Sequence, residues 1–204
     1  MTGNRLKLNN DKTDALEIRS RRRVSVSQDS HLRVGSHDIS FKSHVKSLGV
    51  HIDATLSMAK HIDHISRSAY LEIRRISSVC HLLSRKTTVQ LVCSFVLSRL
   101  DYCNSLLIDI TSDQMFRLQK VQNHAAKVFF RKSKHEHVTP LLRKLHWLPV
   151  KERILFKITT FSFCFFNGTL PPYLSSSLSL HSISYSHSSS NEKTLVCAKW
   201  KLKG

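Results

Sequence analysis

The stretch MAKHIDHISRSAYLEIRRISSVCHLL, Met58–Leu83, decides the fold. Its apolar residues fall at Met58, Ile62, Ile65, Ala69, Ile73, Ile76, Cys80 and Leu83. Steps of three and four put them on one face of a helix, because an α-helix turns once every ~3.6 residues. Such a stripe needs neighbouring elements to bury it. It also fixes what faces outward: Lys60, Arg67, Arg74 and Arg75 lie mostly off the stripe.

Downstream, the same periodicity continues. Ser84 caps a second predicted helix with Val89, Val92, Val96, Leu100, Cys103 and Leu107 inside. Ser112 and Asp113 open a third along Met115, Leu118, Val121, Ala125 and Val128. Thr139-Pro140 starts a short helix through Leu141, Leu142 and Leu145. Pro149 begins a fifth, with Ile154, Leu155, Ile158, Phe161 and Phe165 inside, and Gly168 then Pro171-Pro172 stop it.

Upstream, the pattern changes period. Leu32–Ser43 reads as a hairpin around the turn chemistry of GSHD, and VKSLGVHI as a further strand with Val45, Leu48, Val50 and Ile52 as its apolar positions. The other end is serine-rich. Ten of the sixteen residues from Ser175 to Ser190 are serine, so the stretch buries too little to offset its ordering entropy. The expected architecture is mainly α: a small β hairpin and strand portion at 1–56, a helical bundle at 57–168, and a flexible, disordered Ser-rich tail at 169–204.

Charge narrows the function classes. Thirty-two Lys and Arg against fourteen Asp and Glu give +18, and thirteen histidines add to it in acid. A pI near 10.1 favours a polyanionic partner through counterion release. The five cysteines, Cys80, Cys93, Cys103, Cys164 and Cys197, contain no C-x-x-C pair, which argues against a disulfide framework and a paired-cysteine zinc finger. The amino-terminal residues show no apolar signal-peptide core, and the longest apolar run, ILFKITTFSFCFF, is interrupted by Lys157 and too short to span a bilayer. An intracellular protein, cytoplasmic or nuclear, not secreted and without a membrane partner, is expected. No G-x-S-x-G elbow, Walker loop or HExxH helix is present.

Several stretches, in order, resemble a known family. LKLNNDKTDALEI (Leu6–Ile18) is similar to the segment after the catalytic aspartate pair of LINE-type, Jockey-like non-LTR retrotransposon reverse transcriptases. VKSLGVHIDATLSMAKHI (Val45–Ile62) resembles their next block, a Leu-Gly-Val primer-grip strand and then a helix. FVLSRLDYCNSLL, LQKVQNHAAKVFF, HVTPLLRKLHWLPVKERILFKI and NGTLPPYLSSSL resemble the thumb and post-thumb helices, and SSSNEKTLVCAKWKLKG the start of the family's next segment. The resemblance implies an RNA-directed DNA polymerase fragment: a C-terminal palm remnant at 1–56, a thumb-like bundle at 57–168, and RNA or RNA–DNA duplex as partner.

The resemblance also implies what is missing. Two-metal nucleotidyl transfer needs carboxylates to clamp two divalent cations, and the family places two of them in an adjacent Asp-Asp pair. No Asp-Asp occurs in this sequence. The expectation is a truncated, non-catalytic remnant, or a partial gene model, with no catalytic residues, no cofactor and no metal. The alternatives are a basic helical protein–protein interaction module, or a pseudogene product without function.

These readings select the candidate site residues. Leu48, Gly49 and Val50 take the primer-grip position, where a glycine lets a nucleic-acid backbone approach closely. Arg21, Arg22 and Arg23, next to Arg19, form a cluster suited to phosphates or nuclear import. Lys60, Arg67, Arg74 and Arg75 would line a duplex. Asp101 reads as one half of a structural ion pair with Arg99 or another nearby base, Cys103 and Trp147 as core. His61 with His64, and His135 with His137, have zinc-like spacing without complementary ligands.

Overall fold

The structure is a computed structural model that describes residues 9, 12–19, 31–35, 37–133, 135–180 and 195–197. Two antiparallel strand pairs precede the helices: β1 (His31–Val34) with β2 (His37–Ser40), and β3 (His44–Ser47) with β4 (Val50–Asp53). The first is the expected hairpin, turning at Gly35 with φ 63°. The second differs from expectation. VKSLGVHI is not one strand but two, because the chain reverses at Leu48-Gly49 with φ 47° and 84°. Positive φ at both central residues is the two-residue hairpin geometry that matches strand twist.

Asp53 joins the hairpin to the helices. Its Oδ1 accepts hydrogen bonds from Thr55 N (3.1 Å), Thr55 Oγ1 (2.7 Å) and Ser57 N (3.0 Å), and its Oδ2 from Ser57 Oγ (2.9 Å). Burial alone would raise this carboxyl, but the hydrogen bonds outweigh it and hold the pKa down to about 2. The turn they close delivers the chain into α1 (Ala59–Val79). That helix buries Ile62, Ile65, Ala69, Ile73 and Ile76 as the stripe predicts, and ends before Cys80, leaving Leu83 in the loop beyond.

The second expected helix is broken into pieces. After its Ser84 cap, α2 (Arg85–Val92) passes through a π-helical turn, Cys93–Leu97, into α3 (Ser98–Asp101). Ser98 N–H donates to Cys93 O, five residues back, which is the widened ladder of a π turn. The helix stops at Tyr102, extended, and Cys103, left-handed at φ 52°, before a 3-10 turn at Asn104–Leu107. Cys103 is therefore exposed, not core: the helical phase that would have carried it inward ends one residue earlier.

Thr111 and Gln114 form a capping box at the start of α4 (Ser112–Phe130), which packs on α1. The short α5 (Thr139–Lys144) has proline in its first turn, but Thr139, expected as its N-cap, is already helical and the cap is Val138 with no side-chain cap bond; α6 (Val150–Phe166) starts after Pro149. The core gathers Ile62, Val96, Leu100, Leu107, Leu118, Val121 and Ile154, each no more than 2% exposed. Fully burying each such side chain contributes roughly 1.5–3 kcal/mol. Trp147 bridges this core and a smaller cluster of Ala126, Leu141 and Leu142, as expected of an anchor. Two glutamines fix the entry to α6: Gln119 Oε1 accepts from Val150 N (2.9 Å), and the fully buried Gln122 donates to Leu148 O (2.8 Å).

Two expectations fail at the carboxyl-terminal side. Leu155 and Phe161, expected inside, stand 42% and 40% exposed, because α6 touches the core mainly through Val150, Ile154 and Ile158 near its start. The expected structureless region from 169 holds a helical turn α7 (Pro172–Ser175) and a strand pair, β5 (Leu178–Leu180) with β6 (Leu195–Cys197). The proline pair pre-sets φ for the turn, and LSL opposite LVC is β-prone enough to pair. Most of the serine run, 181–190, lies outside the described residues. No helix among the described residues is long and apolar enough to cross a membrane.

Candidate nucleic-acid interface

The outer face of α1 carries the expected row. Lys60, Arg67 and Arg74 are exposed and spaced seven residues apart, two helical turns or ~10.5 Å per step, so they stand nearly in line. Among the described residues no carboxylate pairs with Arg67 or Arg74. Arg75 is tied to Glu72 at 3.2 Å, and Glu72 also holds Arg99 from α3 at 3.2 Å. Asp63 pairs with Arg117 of α4. The acidic groups of this helix are thus engaged, and the row keeps its positive charge.

Beside the row, the open end of the β3–β4 hairpin meets Lys60 through His44, and the hairpin's tip lies against α1 further along, near His64 and Ser68. Leu48 is 88% exposed and strained at φ 47°. Its carbonyl accepts a hydrogen bond of 2.6 Å from the Tyr102 hydroxyl, across 54 residues of sequence. Of the three residues assigned to the primer grip, Leu48 and Gly49 make a turn and Val50, 4% exposed, belongs to the core. The tip, not a strand face, is what this segment presents outward.

Between that tip, α1 and α3 lies a cleft of about 340 Å³ lined by Gly49, His61, His64, Ser68, Arg99 and Tyr102 among others. Arg99 reaches it through Ser68 and Glu72. His61 is buried, at 2% exposure, and its Nδ1 accepts from His51 N–H at 3.4 Å. That bond places the His61 proton on Nε2, which has no hydrogen-bond partner; nor does His51 Nε2. The His51 ring lies tilted by 50° against His64, with centroids 4.9 Å apart. Burial pushes both His51 and His61 below the usual imidazole value. For His51, nearby His64, Lys46, His44 and Lys60 push the same way. For His61, His51 and His64 do.

The remaining sequence assignments divide. Asp101 forms its ion pair with Arg153 of α6, at 2.7 Å from Nε, not with Arg99. Among the described residues no group of three histidine, cysteine, aspartate or glutamate side chains is set to hold a metal ion, so the His61–His64 and His135–His137 pairs gain no further ligand. Arg21, Arg22 and Arg23 lie outside the described residues. Tyr102, Arg99 and His51 were not legible as a site, because the contacts that join them to α1 and the hairpin are long-range and leave no spacing signal. Comparisons with protein-family models, with curated proteins and with solved structures each find no match to the chain.

Proposed function

We propose that the chain is a palm-and-thumb segment of a non-LTR retrotransposon reverse transcriptase, and that it holds RNA or RNA–DNA duplex without sequence preference and without polymerase chemistry of its own. The family reading rests on the ordered stretches of sequence that resemble it, from Leu6 onward. The binding reading rests on one observation: the exposed, in-line row of Lys60, Arg67 and Arg74 on α1 in a chain of net charge +18. Lys and Arg are rarely buried unpaired, so this charge crowds the surface. Contacts would go to phosphates and duplex shape, not base edges. The absence of any Asp-Asp supports the non-catalytic part.

The test is a fluorescence-anisotropy titration of labelled RNA–DNA duplex at two salt concentrations. Binding is expected on the order of 10⁻⁴–10⁻⁶ M at physiological salt, falling steeply as salt rises. Changing Arg67, Arg74 and Arg75 together to Glu weakens binding to all sequences alike and flattens the salt slope. A triple variant that binds like the parent removes α1 as the interface, and a parent that does not bind at low salt removes the function.

A second reading, a protein–protein interaction module, is favoured by one feature. Leu155, Phe156 and Phe163 share one side of α6 and are 42–68% exposed, and Leu155 also lines a groove of about 470 Å³ with Ile108, Met115, Phe116 and Ile154. An uncovered aromatic face of this kind marks a contact surface.

A further inference from the structure

Helix α6 is apolar on two opposite sides. Val150, Ile154 and Ile158 meet the core. Leu155, Phe156, Thr159 and Phe163 stand on the other side, all exposed, where a surface helix ordinarily carries charge. From Ile158 to Leu180 the sequence contains no Asp, Glu, Lys or Arg. The threonines do not make this side polar. Thr159 Oγ1 donates to Leu155 O (3.0 Å) and Thr160 Oγ1 to Phe156 O (2.7 Å), so both hydroxyls stay satisfied within the helix when the face is covered. Lys157 leaves this side, its ammonium lying 5.6 Å from the Phe161 ring centroid. The groove shared by Leu155, Ile108, Met115 and Phe116 adjoins the same face, and its rim holds both signs of charge. Asp113 stands one turn before Phe116 on α4, and Glu152 one turn before Leu155 and Phe156 on α6; neither has an ion pair among the described residues. Lys120 lies over the Phe116 ring at 4.4 Å, and Lys151 lines the groove.

We infer that this surface is a dimer interface whose occupant is a second copy of the chain, with α6 of each copy laying Phe156 and Phe163 against the outer face and groove of the other about a two-fold axis. The size fits. A large side chain of this kind offers roughly 150–250 Å², so Ile108, Phe116, Leu155, Phe156 and Phe163, 42–68% exposed, leave on the order of 500 Å² of apolar surface. That is about the non-polar share of one side of a standard interface, ~800 Å² per partner and somewhat over half apolar. The shape is self-complementary. Protruding Phe156 and Phe163 flank the small Thr159 and Thr160, and the groove opens beside them, so one patch supplies both the rings and the places that seat them, as a two-fold contact requires. The charge is self-complementary too. A chain of net charge +18 repels its copy through most faces, whereas this rim sets unpaired carboxylates beside lysines, and the rims of two copies can be matched acid to base. The inference deepens the interaction-module reading, on which it rests for this side of α6 being a contact face.

The purified chain, free of nucleic acid, is followed by sedimentation velocity from low to high micromolar concentration at two salt concentrations. A closed monomer–dimer equilibrium is expected. It tightens as salt rises, because salt screens the repulsion between two basic chains and leaves apolar burial intact, whereas duplex binding moves the opposite way. Phe156→Ser together with Phe163→Ser weakens the dimer by at least about thirtyfold. Thr159→Glu sets a carboxylate in the middle of the face and abolishes the dimer, although it lowers the net charge and would strengthen a merely electrostatic association. All three positions are exposed, so both variants keep the parent's circular dichroism spectrum. Binding of a neutral apolar dye, with the double serine variant as control, reports whether the face is open. A parent that stays monomeric but binds the dye through Phe156 and Phe163 overturns the second copy and leaves the interaction-module reading standing with another partner. A monomer that binds no dye there overturns both. A dimer that survives Thr159→Glu, or association that runs past two copies, places the contact elsewhere and overturns the inference.

Discussion

Replacing Leu48 with Asn should stabilise the fold. Leu48 sits at φ 47°, a left-handed backbone that costs a non-glycine residue about 1–2 kcal/mol, while its side chain is 88% exposed and buries almost nothing in return. Asn tolerates this region and is favoured in two-residue hairpin turns of this geometry. The carbonyl that receives the Tyr102 hydroxyl at 2.6 Å belongs to the backbone and survives the change. The gain is then part of the strain, about 0.5–1 kcal/mol, or ~1–4 °C in melting temperature for a chain of this size. Urea unfolding monitored by circular dichroism measures it as a higher midpoint at unchanged slope. A lower midpoint would refute the reasoning, because it would mean that the leucine side chain is packed or that the tip does not adopt this turn. A strained, exposed leucine that persists also points to use in contact, so the same variant is expected to lose duplex affinity while gaining stability.

Stability should fall as pH drops below about 6.5. His51 and His61 are held below their ordinary value in the fold, so the unfolded chain binds more protons in that window, and a melting series from pH 8 to 5 without phosphate should show the decline; a flat series would contradict their burial as neutral rings. Asp101→Ala should cost about 1–3 kcal/mol in urea unfolding, since it strips the partner from Arg153, whose side chain is only 21% exposed; no change in midpoint would mean the pair is solvated. Primer extension on any primed template with magnesium or manganese should give no product; extension abolished by changing one of this chain's own carboxylates would overturn the non-catalytic reading.

The elements legible in the sequence are those whose stabilising pattern is local. The stripe from Ile62 to Ile76 predicted the buried face of α1, and by exclusion its basic row. Thr139-Pro140, Pro149 and Gly168 marked real helix boundaries, since each acts on its own backbone. The tip at Leu48-Gly49 was missed because leucine is a poor occupant of a left-handed position, and no Asn-Gly or Asp-Gly announced a turn. The break at Tyr102-Cys103 was missed for a related reason: neither residue is a glycine or proline. Phe161 was misplaced because periodicity gives the phase of a helix but not how far along it the core extends. Of the candidate site, the arginine row could be read from one helix, whereas the cleft needs β4, α1 and α3 in contact.

The π turn at Cys93–Leu97 takes up one residue more than an α-helical turn would hold. Ser98 N–H already reaches Cys93 O, so removing Ser94 would turn that same bond into an ordinary α-helical one and leave Asp101 facing Arg153 and the Tyr102 hydroxyl facing the Leu48 carbonyl. The surplus residue is thus a slack link. A one-residue deletion that would shift the phase of α1 or α4 by about 100° is absorbed at this turn.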